Sequence, residues 1–355
     1  MDPVQALEEI ATLLEVQLAS PFKAKAFRRA AAGIAPLSGD EVRARAADGR
    51  LKRTPGIGDS SLGVIVEALA GGVPSYLADL REKAGAESRT GLRALLKGDL
   101  HAHSEWSDGT TSIAAMARAA TSAGLEYFAL TDHSPNLRVA NGLSPERLES
   151  QLEIVAALNA GLGEGEGGPD ARDRGDLGVR VLTGIEVDIL EDGTLDQRPD
   201  LLDRLDVVVA SVHSKLRSPS HGMTPRMLRA IRDPRTNVLG HCTGRLVQGS
   251  RGTRPQSEFD ADAVFAACAE HDVAVEINSR PERQDPPDDL IALALGHGCR
   301  FAIDTDGHAP GHFGFLALGA ARAEAAGIPP ERIVTTWDAD RLVEWAASKK
   351  RRKES

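Results

Sequence analysis

Cysteine is scarce in this chain: Cys242, Cys268 and Cys299 include no CxxC pair and leave an odd number. That pattern argues against a disulfide framework and predicts a reduced, cytoplasmic setting. Long apolar runs are also missing, and none reaches the roughly eighteen residues that a membrane helix needs. The opening MDPVQALEE lacks the basic and apolar segments of a secretory signal, so no membrane partner is expected. Lysine is absent from 54–75. Schiff-base chemistry by a lysine of that stretch is therefore not expected.

Positive charge is in deficit overall, with a formal net charge of −10, but the deficit is unevenly placed. Residues 1–90 balance twelve Lys and Arg against twelve Asp and Glu, and 17–53 carries nine against three. All of the excess negative charge therefore falls after residue 90. A site holding divalent cations can be locally positive inside such an acidic segment, so a phosphate substrate is not excluded.

The pattern divides the 355 residues near residue 90. Residues 4–80 show apolar residues at helical spacing, with a basic face in KAKAFRRAAAGI and a tight turn at Pro55, Gly56 and Gly58. From Lys97 onward the period changes. Strand-like runs at 97–103, 126–131, 180–187, 206–212, 237–241, 273–278 and 300–306 alternate with helical stretches. Thr224-Pro225 and Ser144-Pro145 are read as helix starts. Strict alternation predicts a parallel sheet, and seven units suggest a barrel. The stretch 161–176 has six glycines and reads as a mobile loop; 348–355, with KKRRK, reads as a disordered basic tail.

Nine side chains able to bind metal fall in short clusters, most of them where a strand pattern ends. They are His101, His103 and Asp108 in HAHSEWSDG, His133 in TDH, Glu186 in GIEVD, His213 in SVH, His241 in LGH, and Asp306 with His308 in TDGH. Residues two apart on a strand share a face, so His101 with His103, and Asp306 with His308, can hold one ion together. A single HxH also occurs among half-buried strand residues. Repetition of the pattern over some two hundred residues is what the bland reading leaves unexplained. In a βα barrel all these strand ends lie on one rim, where active sites form.

In order, the motifs HxH, SDG, TDH, GIEVD, SVHS, GH and TDxH resemble the PHP (polymerase and histidinol phosphatase) family of metal-dependent phosphoesterases, over residues 97 to about 345. The phrases TDHSPNLRVANGLSPERL, GIEVDILEDGTLD and LGHCTGR are most similar to the PHP domain of bacterial family X DNA polymerases. The resemblance implies an α/β fold: a (β/α)7 PHP barrel over 91–347, preceded at 1–90 by a small all-α helix-hairpin-helix domain that binds DNA ends. TPGIG would be the hairpin, with Gly56 and Gly58 presenting backbone N–H groups to a phosphate, and Lys23, Lys25, Arg28, Arg29, Lys52 and Arg53 supplying charge. No space remains for a polymerase palm, so polymerisation is excluded. Val64 stands where some relatives carry a lyase lysine.

The resemblance further implies three divalent ions. Histidine and carboxylate donors without thiolates suit zinc, manganese or iron better than magnesium. One ion would take His101, His103, Glu186 and Asp306; a second Asp108, His133 and His241; a third Glu186, His213 and His308. Glu186, Asp306 and His308 would thus serve the chemistry directly. Arg245 and Arg283, which follow strands on the same rim, are candidates for binding phosphate. The expected reaction is hydrolysis of phosphate esters at DNA or RNA ends, as a 3′→5′ exonuclease or 3′-phosphatase. A small-molecule phosphatase of the histidinol-phosphatase type and a non-catalytic end-binding module are the alternatives.

Overall fold

The computed structural model describes residues 1–84, 90–161, 177–249 and 252–352. The Gly-rich insertion beyond Gly161 lies outside the described residues, as do residues 85–89. Two compact units are present, one of residues 1–88 with 309–314 and one of 89–308 with 315–355. Among the described residues no helix is long and apolar enough to cross a membrane.

The first unit is built from five helices, α1 (Pro3–Val16), α2 (Pro21–Ile34), α3 (Gly39–Ala47), α4 (Asp59–Leu69) and α5 (Ser75–Ala84). Asp2 and Ser38 cap α1 and α3 by accepting from the N–H groups of Gln5 and Glu41. Leu7, Ile10, Phe27, Ile34, Leu51, Ile65 and Leu77 form its core. Between α3 and α4 the chain turns through Gly56, whose φ of +91° favours glycine and whose added Cβ would lie 2.7 Å from Arg29 Cγ.

The second unit carries seven parallel strands in the order β1 (Gly98–Ala102), β2 (Tyr127–Leu130), β3 (Arg180–Asp188), β4 (Val207–Ser211), β5 (Val238–Leu239), β6 (Ala274–Asn278) and β7 (Phe301–Asp304). Each pairs with its sequence neighbour. The seven expected strands are all present, although β5 has only two residues. Intervening helices begin at Ser112, Ser144 and Asp260, whose side chains accept from the N–H groups of Ala115, Arg147 and Ala263. Pro225, expected to open a helix, instead lies inside the helix Ser220–Arg232.

Closure between β7 and β1 uses side chains as much as backbone. Leu100 N donates to Asp304 Oδ1 at 2.7 Å, and Thr305 Oγ1 donates to Asp99 Oδ2 at 2.5 Å. Beyond them His103 N donates to Gly307 O at 2.7 Å, and Gly307 N to His101 O at 3.1 Å. The result is a nearly closed (β/α)7 barrel. At the opposite end Tyr127, Leu182, Val207, Trp337, Leu342 and Trp345 pack into one cluster, with Trp337 and Trp345 edge to face at 5.9 Å. That floor is filled by packed side chains, which leaves the C-terminal ends of the strands as the place for chemistry.

The expected disordered basic tail is corrected for the residues described. Helix Ala339–Arg352 includes 348–352, and there Lys349 Nζ donates to Thr236 O and Lys350 Nζ to Leu205 O at 2.8 Å. Long aliphatic stems let these lysines lie along the unit while their heads find carbonyls. Cysteine chemistry is equally restrained, since all three thiols are buried. Burial pushes Cys299 up to about 12 and Cys242 and Cys268 well above the usual thiol range. Ellman's reagent at pH 8 is therefore expected to titrate no thiol of the native protein within minutes and three after unfolding. Reaction of the native protein at the rate of a free thiol would contradict this.

Candidate metal centre

At the C-terminal rim the separate motifs converge. His101 lies in β1 and His103 just beyond it, His133 follows β2, Glu186 lies inside β3, and His213 and His241 follow β4 and β5. Asp306 and His308 follow β7, with Asp306 at a φ of +50°. All nine expected side chains belong to at least one of four overlapping groups whose ligand atoms lie within 4.8 Å of one another.

Glu186 stands at the middle. Its Oε2 lies 3.2 Å from His101 Nε2, 3.6 Å from His103 Nε2 and 2.8 Å from His133 Nδ1. Its Oε1 lies 3.1 Å from His213 Nε2 and 2.8 Å from His241 Nε2. Asp108 Oδ1 approaches His133 Nε2 at 3.5 Å and His308 Nε2 at 3.3 Å, while Asp306 Oδ1 is 3.6 Å from His103 Nε2. Asp108 is exposed and His308 half-buried, whereas His101, His103 and Glu186 are sealed from solvent. The cluster therefore opens to water on the Asp108 side.

The grouping differs from the expected one. His241 gathers with His101 and Glu186, not with Asp108 and His133; His308 gathers with His103, Asp108 and His133, not with Glu186 and His213. Position around the barrel explains both changes. The loop after β7 meets the loop after β1, which carries Asp108, whereas His241 stands beside His101 and His213, with ring centroids 5.7 and 5.2 Å away.

Electrostatics within the cluster are strongly opposed. Burial alone would lower the pKa of His101, but Glu186 and Glu276 outweigh it and hold the imidazole well above its usual value. His213 is raised to about 9 by Glu186 and Asp188 against the same burial. His103 is depressed to about 3 by burial and by the neighbouring His308 and His133. Burial would raise Glu186, yet His101, His213 and His133 draw it well below the carboxylate range. Several inward atoms make no hydrogen bond, among them His101 Nε2, both ring nitrogens of His103, His133 Nδ1, Glu186 Oε2 and His213 Nε2. Such buried orphans are rare. Together with the mixed imidazole and carboxylate chemistry, they fit a set of divalent cations.

Some functional candidates escaped the sequence reading. β6 carries none of the nine candidate ligands, but its Glu276 accepts from His241 N and faces His101 Nδ1 at 2.5 Å. Asp188 likewise holds His213 Nδ1. These carboxylates fix ring orientation, which leaves Nε2 directed into the cluster. The signal was an acid inside the apolar run VAVEIN, and a second acid two residues after Glu186 on the same strand face. Asp132 pins the loop carrying Asp108 by accepting from Ser104 N at 2.8 Å and from Ser107 Oγ.

Of the two expected arginines, Arg283 reaches the cluster, its Nε 2.8 Å from Asp306 Oδ2. Arg280, not anticipated, donates to Asp306 O and lies 3.1 Å from His308 Nδ1. Arg245 is not brought there. Its guanidinium donates to the carbonyls of Arg283 and Gln284, and its charged neighbours are Asp285, Arg322, Asp288 and Asp289. Its part is to hold the backbone on which Arg283 stands.

The nucleic-acid candidates of the first unit also separate. Arg28 is corrected: its guanidinium is clamped between Glu8 and Glu15, the latter at 2.6 Å, and joins α1 to α2. A cation paired with two carboxylates offers little to a phosphate. Lys52 is exposed beside Asp59 at 2.9 Å. Lys23, Gly56 and Gly58 line a cavity of about 560 Å³ with Phe27 and Tyr76. Phe22, next to Lys23, is 84% exposed.

Comparison with known proteins agrees with these two units. The model described as "PHP domain" matches residues 99–280, and that described as "Helix-hairpin-helix domain" matches 1–74. The DNA polymerase/3′-5′ exonuclease PolX of Bacillus subtilis (strain 168) is 40% identical over 213 residues, 60% of this chain and 34% of the relative. The chain thus spans about a third of that relative's length. A protein of Thermoanaerobacter sp. (strain X514) named as a probable phosphatase is 26% identical over 273 residues, 72% of this chain and 96% of its own. Among solved structures, the histidinol phosphate phosphatase of Lactococcus lactis aligns with a TM-score of 0.42 and 18% identity, over 65% of this chain and 92% of that one. With the family model covering just over half of the chain and its motifs gathered on one barrel rim, the protein belongs to the PHP family of metal-dependent phosphoesterases.

Proposed function

We propose that the protein hydrolyses phosphate esters at nucleic-acid ends, as a 3′→5′ exonuclease or 3′-phosphatase. The observation that carries this reading is the union in one chain of a PHP cluster and a helix-hairpin-helix unit. Similarity to a DNA polymerase/3′-5′ exonuclease supports it. In this proposal His101, His103, Asp108, His133, Glu186, His213, His241, Asp306 and His308 hold up to three ions, zinc or manganese, with iron a further option. Bound cations would supply an acidified water and would polarise a phosphoryl oxygen.

The chain's own residues supply placement. Glu276 and Asp188 hold His101 and His213 by Nδ1. Arg283 and Arg280 bring positive charge to the Asp306 side of the cluster, where a phosphoryl group gains charge in the transition state. In the first unit, Lys23 at the cavity lined by Gly56 and Gly58 suits a backbone phosphate, and exposed Phe22 suits base stacking. The second reading, a small-molecule phosphatase, is favoured by the probable phosphatase that matches over nearly its whole length.

One assay panel separates them. Manganese-loaded and zinc-loaded protein are offered single-stranded DNA, 3′-phosphorylated DNA, histidinol phosphate and p-nitrophenyl phosphate. Turnover of DNA ends is expected, and removal of residues 1–88 should reduce it about 100-fold while p-nitrophenyl phosphate hydrolysis changes little, because the removed unit only concentrates a long substrate. Efficient cleavage of histidinol phosphate with none of DNA would transfer the assignment to the small-molecule reading.

A further inference from the structure

We infer that Trp106 is a nucleobase platform at the mouth of the cluster, stacking the base of the terminal nucleotide whose phosphate is hydrolysed. This rests on the nucleic-acid-end reading and adds the subsite that would tell a nucleotide from a bare phosphate ester.

Trp106 lies in the loop joining His103 to Asp108, two residues before Asp108, so their Cα atoms are separated by at most roughly 7 Å of chain. The loop is rigid where it meets the cluster, since Asp132 accepts from Ser104 and Ser107 on either side of Trp106. Trp106 is half-buried, whereas Trp337 and Trp345 are sealed in the barrel floor. The opening of the cluster toward solvent is at Asp108. An aromatic ring is thus fixed beside the exposed Asp108 side of the cluster.

Its surroundings suit a base. Arg147 Cζ stands 5.9 Å from the ring centroid, within cation–π range, and the same guanidinium donates to the carbonyls of Trp106 and Asn141. Asn141 Nδ2 donates to Trp106 O at 3.1 Å. The segment 137–141 is therefore tied to Trp106, and it presents Arg138 and Val139 to solvent, Val139 at 92% exposure. One exposed valine is ordinary by itself. With the indole tethered to Arg147 and Asn141, and exposed Arg138 and Val139 on the same tied segment, the loop offers an aromatic, cationic surface for a flat heterocycle carrying a phosphate, which a small aliphatic phosphate ester would not use. Stacking of this kind tolerates any base, since every base has a π-face.

Two measurements test the platform on the full-length chain. In the first, kcat/KM is compared for single-stranded oligonucleotides ending in a normal nucleotide or in an abasic sugar. The wild-type preference for the base-bearing end should fall about tenfold in Trp106→Ala, through KM, and survive in Trp106→Phe. In the second, dAMP is titrated into metal-free protein; it should quench indole fluorescence in the wild type and not in Trp106→Phe. An unchanged preference in Trp106→Ala, or a quench that persists in Trp106→Phe, overturns the platform and leaves the nucleic-acid reading standing. If the wild type hydrolyses p-nitrophenyl phosphate but no oligonucleotide end, the nucleic-acid reading fails and the platform fails with it.

Discussion

Replacing Glu186 with glutamine is expected to remove more than one metal ion per chain and to lower phosphoesterase turnover by about 100-fold or more. Orienting partners behind a ligand already cost about 10- to 100-fold in metal affinity or activity. Glu186 is no outlying partner: its two oxygens face His101, His103, His133, His213 and His241, and it belongs to two of the four ligand groups. Glutamine keeps the shape and removes the charge, so the fold is retained while five imidazoles lose their shared anion. Elemental analysis after dialysis against limiting zinc or manganese, beside circular dichroism, reads both effects. Retention of wild-type metal content would show that Glu186 is not the shared ligand.

Placing a methyl group at position 98 is expected to destabilise the barrel strongly. A Cβ added to Gly98 would lie 2.0 Å from Tyr127 Cε2 and 2.2 Å from Cζ. Tyr127 cannot retreat, being wholly buried, paired with Gly98 in the β1–β2 register, and donating from Oη to Trp337 O at 3.1 Å. Either the strand or the floor of the barrel must shift. Overpacking of this kind costs about 3 kcal/mol, which for a unit of this size lowers the unfolding midpoint by about 6 °C. Gly222→Ala is the control, since nothing lies within 4 Å of its added Cβ and alanine favours the helix. Equal midpoints for the two variants would mean that Tyr127 has room to move.

The strands and the membership of the cluster were legible because both are written locally. An apolar run with period two needs only its own residues to be recognised, and a histidine at its end lies on the rim of any parallel barrel. His101, His103, His133, Glu186, His213, His241 and Asp306 could therefore be named from their runs, and the TPGIG turn from its glycines. The same local logic failed at Arg28 and Arg245. A basic residue on an amphipathic face looks alike whether it faces solvent or, as Arg28 does, two carboxylates of another helix.

What sequence alone determined is thus the type of each element, the rim on which the candidate ligands stand and the donor chemistry they offer. Only the tertiary structure decided who stands beside whom. Grouping of the candidate ligands depends on ring closure, where the loop after β7 meets the loop after β1 and brings His308 to Asp108, a neighbourhood between residues two hundred apart. The same closure turns Glu276 toward His101 and Arg283 toward Asp306. Closure of a barrel is a non-local event, because the seventh strand finds the first only when all intervening registers are set. No window of sequence contains that information, and the charge of each group in the cluster follows from it.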